Sequence, residues 1–109
     1  MARVAFSEQF WRDFEGVVSK LAEAAGEPVA RRYNLDIRRS VRQLEAHPGI
    51  GAPRGKLGAG SRMLIVSPYL IFYEGGPKAK VVSVLRLLDG RRRITRKVIA
   101  AGRDETAER

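Results

Sequence analysis

Cysteine is missing from all 109 residues. Its absence excludes disulfides, thiolate nucleophiles and cysteine-bound metals together, and it fits a reducing compartment. Histidine is nearly missing too. His47 stands alone, so a transition-metal site would need carboxylates, and these do not cluster. It sits before a proline where a helix should stop, and reads as a C-terminal residue favoured by the helix dipole rather than a general base. No apolar run approaches the roughly 18 residues of a membrane span, and the start lacks a signal-peptide core, so a cytoplasmic setting without membrane contact is expected. Acids are the minority charge, 12 Asp and Glu against 21 Lys and Arg, for a formal +9. They gather near the two ends, at Glu8, Asp13, Glu15, Glu23 and Glu27 and at Asp104, Glu105 and Glu108. The middle is therefore basic and suits an anionic partner, whether a phosphodiester or an acidic protein segment.

What is present describes a single α+β domain over residues 1–109. At 44% hydrophobic and 30% charged the chain is ordinary for a globular protein of one core. Three apolar runs, Met63 to Val66, Tyr69 to Tyr73 and Val81 to Leu88, are rich in β-branched and aromatic residues. Ser67-Pro68 separates the first two, because proline has no N–H for a ladder. Gly75-Gly76-Pro77 separates the last two, because glycine accepts turn conformations. An antiparallel meander is predicted. Ahead of it, Ala2 to Phe6 reads as a first strand that joins the same sheet, and Ser7 as the N-cap of a helix. Phe10, Phe14, Val17, Val18, Leu21 and Ala25 then recur at helical spacing. Gly26 ends that helix, Pro28 opens a second, and Val29, Tyr33, Ile37, Val41 and Leu44 mark its apolar face. Two helices joined so tightly form a hairpin that needs a sheet beneath it.

Gly49 to Gly60 is glycine-rich and basic, and invites comparison with a phosphate-binding loop. The comparison fails: Ile50 stands where a glycine is required, Leu57 replaces the Ser or Thr, and a helix precedes the loop. A flexible connection is the expectation. Beyond Leu88, Asp89-Gly90 is a turn into Arg91-Arg92-Arg93, and Ile94 to Ala100 suits either a strand or a short helix. Gly102 to Arg109 reads as a frayed tail. Three successive arginines repel one another unless an anion sits among them or charge guards a strand edge. Arg31, Arg32, Arg38, Arg39 and Arg42 give the second helix a basic face, on which Arg38 and Arg42 project together. Trp11 is expected at the edge of the core. Tyr69 and Tyr73 share one face of their strand by parity.

In order, Val4-Ala5-Phe6-Ser7, Pro48-Gly49-Ile50-Gly51, Gly60-Ser61-Arg62, Tyr69-Leu70-Ile71-Phe72-Tyr73 and Val84 to Arg92 resemble the RelE/ParE toxins of type II toxin–antitoxin pairs. The likeness spans about residues 2 to 93, nearly the whole chain. It implies an N-terminal strand, a helical hairpin packed on a mainly antiparallel twisted sheet, and one of two activities. RelE-like toxins cut mRNA on the ribosome, which needs a base, cations for the phosphorane and an acid for the leaving oxygen. ParE-like toxins bind DNA gyrase and need a surface instead. Leu70 stands where nuclease members carry an arginine, and no Tyr or His follows Arg93 to serve as the acid. Arginine clamps phosphate but shuttles protons poorly near neutrality. The resemblance therefore favours the ParE branch, a gyrase inhibitor without cofactor. On the nuclease alternative the catalytic cations would be Lys56, Arg62, Arg86 and Arg92. Target contact is expected from Arg91, Arg92, Arg93 and Arg62.

Two helices shield only one face of a sheet. The other face is expected to stay half bare and to receive an acidic amphipathic segment of a ParD-like antitoxin, forming a hetero-oligomer. Met63, Ile65, Tyr69, Tyr73, Arg38 and Arg42 are the expected antitoxin contacts.

Overall fold

The computed structural model describes residues 1–103. In chain order these form β1 (Arg3–Phe6), α1 (Glu8–Ala25), α2 (Glu27–Ala46), β2 (Ala52–Pro53), a 3-10 turn (Gly55–Leu57), β3 (Ser61–Val66), β4 (Tyr69–Glu74), β5 (Val81–Asp89) and α3 (Arg96–Arg103). The sheet order is β1-β5-β4-β3-β2. β1 runs parallel to β5, and every other pair is antiparallel. The predicted meander is β3-β4-β5, and the fold is the expected α+β arrangement.

Local chemistry starts each element. The Ser7 side chain accepts a 2.9 Å hydrogen bond from the Phe10 amide, capping α1 as predicted. Gly26, at φ 94°, takes the left-handed backbone that lets α2 follow α1 without a loop. Pro28 occupies the first turn of α2, where a missing N–H costs nothing. The hairpin lays Phe10, Phe14, Ile37, Val41 and Leu44 onto Leu64, Ile71, Tyr73, Val82, Val84 and Leu87 of the sheet. Tyr69 and Tyr73 lie together on this side, as parity required. Gly16 is out of keeping with this economy. It sits in the middle of α1, where glycine costs about 1 kcal/mol against alanine. A Cβ there would meet nothing within 4 Å.

The opposite face is not half bare, and the expectation is corrected here. Ile94 to Ala100 resolves as the lead into α3, which covers that face. Thr95 caps the helix, its hydroxyl accepting from the Val98 amide at 3.4 Å. Ile99 is then buried with Met63, Phe72, Leu85 and Leu88, while Ile94, Val98, Leu57 and Leu70 pack around them. Val98 and Ile99 of the helix, with Ile94 just ahead of it, bring their apolar side chains onto these sheet residues. Gly102 and Arg103, read as part of a frayed tail, belong to this helix; residues 104–109 of that tail lie outside the described residues. Gly102 permits the approach: a Cβ there would collide with the Leu85 carbonyl oxygen. Arg103 fastens the end of the helix to Glu74 at 2.8 Å.

β5 carries the one irregularity of the ladder. Tyr73 pairs with Val84 and Phe72 with Arg86, so Leu85 is an extra residue. β1 ends at Phe6, opposite Val84, leaving the rest of that β5 edge without a strand. Side chains take over. The Ser7 hydroxyl donates to the Leu85 carbonyl at 2.7 Å, and Asp13 accepts the Leu87 amide at 3.1 Å. The exposed ladder is satisfied from α1 rather than by another chain.

The connection after α2 is also more ordered than a flexible loop. Ala52 and Pro53 pair with Met63 and Arg62. The Tyr73 hydroxyl donates to the Pro48 carbonyl and accepts from the Gly51 amide, both at 2.8 Å. Burial raises the pKa of that phenol, against a lowering by the Gly51 N–H, so it stays protonated at neutral pH. Removing the hydroxyl with Tyr73→Phe orphans a buried amide and is expected to cost about 1–3 kcal/mol in urea unfolding. A loss under about 0.5 kcal/mol would mean the loop has water as an alternative partner.

Candidate functional site: an aromatic groove and a basic rim

β1 is an edge strand, and beside it α1 and α2 part to leave a groove of about 510 Å³. Its floor is aromatic. Phe6 lies 5.2 Å from Phe10 and 5.0 Å from Trp11, and Trp11 meets Phe14 edge-on at 5.9 Å. Trp11 is half-buried in this cluster, as expected for a core-edge residue. Arg38 and Arg42 of α2 form the rim. The Arg38 guanidinium sits 5.2 Å above the Phe14 ring while its Nε donates to Asn34 at 2.7 Å. An apolar floor under a cationic rim suits an amphipathic segment carrying acids.

The other expected antitoxin contacts do not share this surface. Met63 is buried under α3. Ile65 is 64% exposed on β3. Tyr73 is closed in by the loop it holds, and Tyr69 stacks edge-on against Tyr33 at 5.6 Å. Of the six residues, only Arg38 and Arg42 line the groove.

The candidate cations scatter in the same way. Arg62 Nη1 donates to the Gly49 carbonyl at 3.0 Å and the Gly51 carbonyl at 2.8 Å, fixing the loop after α2. Arg86 is buried. Its Nε and Nη2 donate to Asp13 at 2.7 and 3.0 Å, and its Nη1 donates to the Val98 carbonyl at 2.8 Å. Lys56 is exposed on the 3-10 turn. Arg92 opens onto a cavity that none of the other three lines. The four do not converge on one point. Sequence reasoning missed the structural uses of Arg62 and Arg86 because their partners are backbone carbonyls and an aspartate 73 positions away.

Arg91, Arg92 and Arg93 leave the end of β5 exposed to solvent. Arg91 folds back on Asp89, with Nε at 2.9 Å and Nη2 at 2.6 Å. Those hydrogen bonds hold the Asp89 carboxyl down at about 2, so the pair stays ionised at neutral pH. Arg92 and Arg93 make no side-chain hydrogen bond or ion pair with a described residue. His47 closes α2 through its backbone, donating to the Gln43 carbonyl at 2.8 Å. Among the described residues no three His, Cys, Asp or Glu side chains gather into a metal-binding set, and no helix is long and apolar enough to cross a membrane.

A helical hairpin on one face of a β1-β5-β4-β3-β2 sheet, with α3 on the other, is a small α+β fold. The family model described as "ParE toxin of type II toxin-antitoxin system, parDE" matches residues 4–94, and the chain belongs to that family. Among solved structures, the "Chromosomal ParDE TA system from P. aeruginosa" is similar with a TM-score of 0.69 and 21% identity, covering 82% of this chain and 96% of that one. At that identity the likeness concerns the fold. A comparison with curated proteins finds no match.

Proposed function

We propose that this toxin arrests growth by binding DNA gyrase, without breaking bonds itself, and is neutralised by an antitoxin seated in the aromatic groove. The observation that carries this reading is the occupation of Arg62 and Arg86 by the fold. Two cations a ribonuclease would need are held by backbone carbonyls and Asp13, and no tyrosine or histidine follows Arg93 to act as the acid. Membership of the ParE family supports the same reading. Arg92 and Arg93, exposed and unpaired among the described residues, are the target-facing cations it favours, with Arg91 oriented by Asp89.

The antitoxin partner follows from the groove: an amphipathic segment places apolar side chains on Phe6, Trp11 and Phe14 and acids on Arg38 and Arg42. Trp11→Ala combined with Arg42→Glu is expected to weaken antitoxin binding by about 100-fold in calorimetry, because buried aromatic anchors and arginines dominate such interfaces. Unchanged affinity would move the antitoxin elsewhere. In cells, expression without antitoxin should induce a DNA-damage reporter before protein synthesis falls. A prompt halt of translation with a silent reporter would point to the nuclease alternative.

A further inference from the structure

A second cavity, of about 800 Å³, opens between the middle of α1 and the far end of β4 and β5. Val17 is its partly exposed apolar side, with Leu87 and Leu88 buried behind it, and Lys20, Arg91 and Arg92 stand around it. Its two carboxylates are already engaged. Asp13 holds Arg86 and the Leu87 amide, and Asp89 holds Arg91. Lys20 and Arg92 form no hydrogen bond or ion pair with a described residue. Tyr69 also lines the cavity. Most of its ring is buried, while its hydroxyl is open to solvent and makes no hydrogen bond with a described residue. Burial and the neighbouring Asp89 raise the pKa of that phenol, so it keeps its proton to donate. Gly16, unexplained by packing, lines the same space, and a Cβ there would meet no atom within 4 Å. From Tyr69 the surface continues through Tyr33, 5.6 Å away, to the Arg32 guanidinium, 5.9 Å from the Tyr33 ring.

We propose that this cavity seats one nucleotide of a single-stranded nucleic acid, with the strand running on past Tyr33 toward Arg32. Lys20, Arg92 and the Tyr69 hydroxyl meet phosphate oxygens, while the partly exposed Val17 side chain takes the face of a base. Cations outside direct ion pairs beside aromatic surface are a usual means of holding an unpaired strand, although Lys20 also feels the Asp89 carboxylate. The continuation to Arg32 favours a strand, with several phosphates, over a free nucleotide, and the net +9 of the chain draws a polyanion in. This inference goes beyond the gyrase reading and stands without it, since it concerns the isolated chain.

The test is fluorescence anisotropy with labelled octathymidylate, in the absence of gyrase. Lys20, Arg92 and Arg32 each meeting a phosphate predict an affinity that falls about 20-fold between about 50 and about 200 mM salt. Gly16→Leu fills the cavity without changing charge and is expected to weaken binding at least about ten-fold while α1 stays folded by circular dichroism. Lys20→Glu with Arg92→Glu should do the same, whereas the equal charge change Lys56→Glu with Lys97→Glu should have far less effect. The matching RNA strand, a DNA duplex, thymidine monophosphate and a glutamate decapeptide serve as competitors. Competition by either single strand, with the duplex and monophosphate at least about ten-fold weaker, supports the assignment. Three results would overturn it: a decapeptide competing as well as a strand, Gly16→Leu binding normally, or both charge-reversal pairs losing affinity equally.

Discussion

Asp13→Ala is expected to destabilise the protein by about 3–5 kcal/mol, the range for stranding one member of a buried ion pair. The Asp13 carboxylate accepts two hydrogen bonds from Arg86 and one from the Leu87 amide, and both side chains are 9% exposed. Alanine would leave the guanidinium inside the protein with only the Val98 carbonyl as partner, and would leave the β5 edge with an orphan amide. Burial of the charge, not the strength of the pair, sets the cost. Replacing both partners by apolar residues, Asp13→Leu with Arg86→Met, should therefore cost less than the single change. Urea unfolding of the unmodified protein, the single variant and the double variant measures it. A single-variant loss under about 1 kcal/mol would mean that Arg86 is solvated and free, and would return it to the candidates for phosphate chemistry.

The second large effect is on the other side of the sheet. Phe72→Ala is expected to cost about 3–5 kcal/mol, the transfer of a buried ring plus the cavity it leaves. Phe72 is 1% exposed, enclosed by Met63, Leu85, Leu88 and Ile99. Had this face been bare, the ring would already touch water and its removal would cost little. Thermal or urea unfolding thus decides whether α3 is a core layer. A cost under about 1.5 kcal/mol would restore the open face as a docking surface and weaken the case for the groove beside β1.

The amino-acid sequence made most of the fold legible for definite reasons. Runs such as Tyr69 to Tyr73 are too β-branched and aromatic to be helix surface, and Ser67-Pro68 and Gly75-Gly76-Pro77 can only interrupt them. The hairpin was legible because Phe10 to Ala25 and Val29 to Leu44 keep helical spacing across a single glycine. α3 was left open because seven residues from Ile94 to Ala100 are too few to separate the two periods. The available signal was Thr95 as a cap ahead of Val98, Ile99 and Gly102. Without α3 in place, Met63 on the second face is indistinguishable from a surface residue.

The site was less legible than the fold. Arg62 and Arg92 are alike in a string of letters, yet one is tied to two carbonyls and the other faces a cavity. Such differences arise from partners distant in the chain. Arg38 and Arg42 could be paired by their four-residue spacing. Their neighbours Phe6, Trp11 and Phe14 join them only once β1 is laid against β5.

Purified toxin added in parallel to a gyrase supercoiling reaction and to a reconstituted translation reaction tests most directly whether harm comes from binding. Expected is loss of supercoiling with accumulation of cleaved DNA, while messenger RNA on the ribosome stays whole. Cut messenger with gyrase unaffected would contradict it.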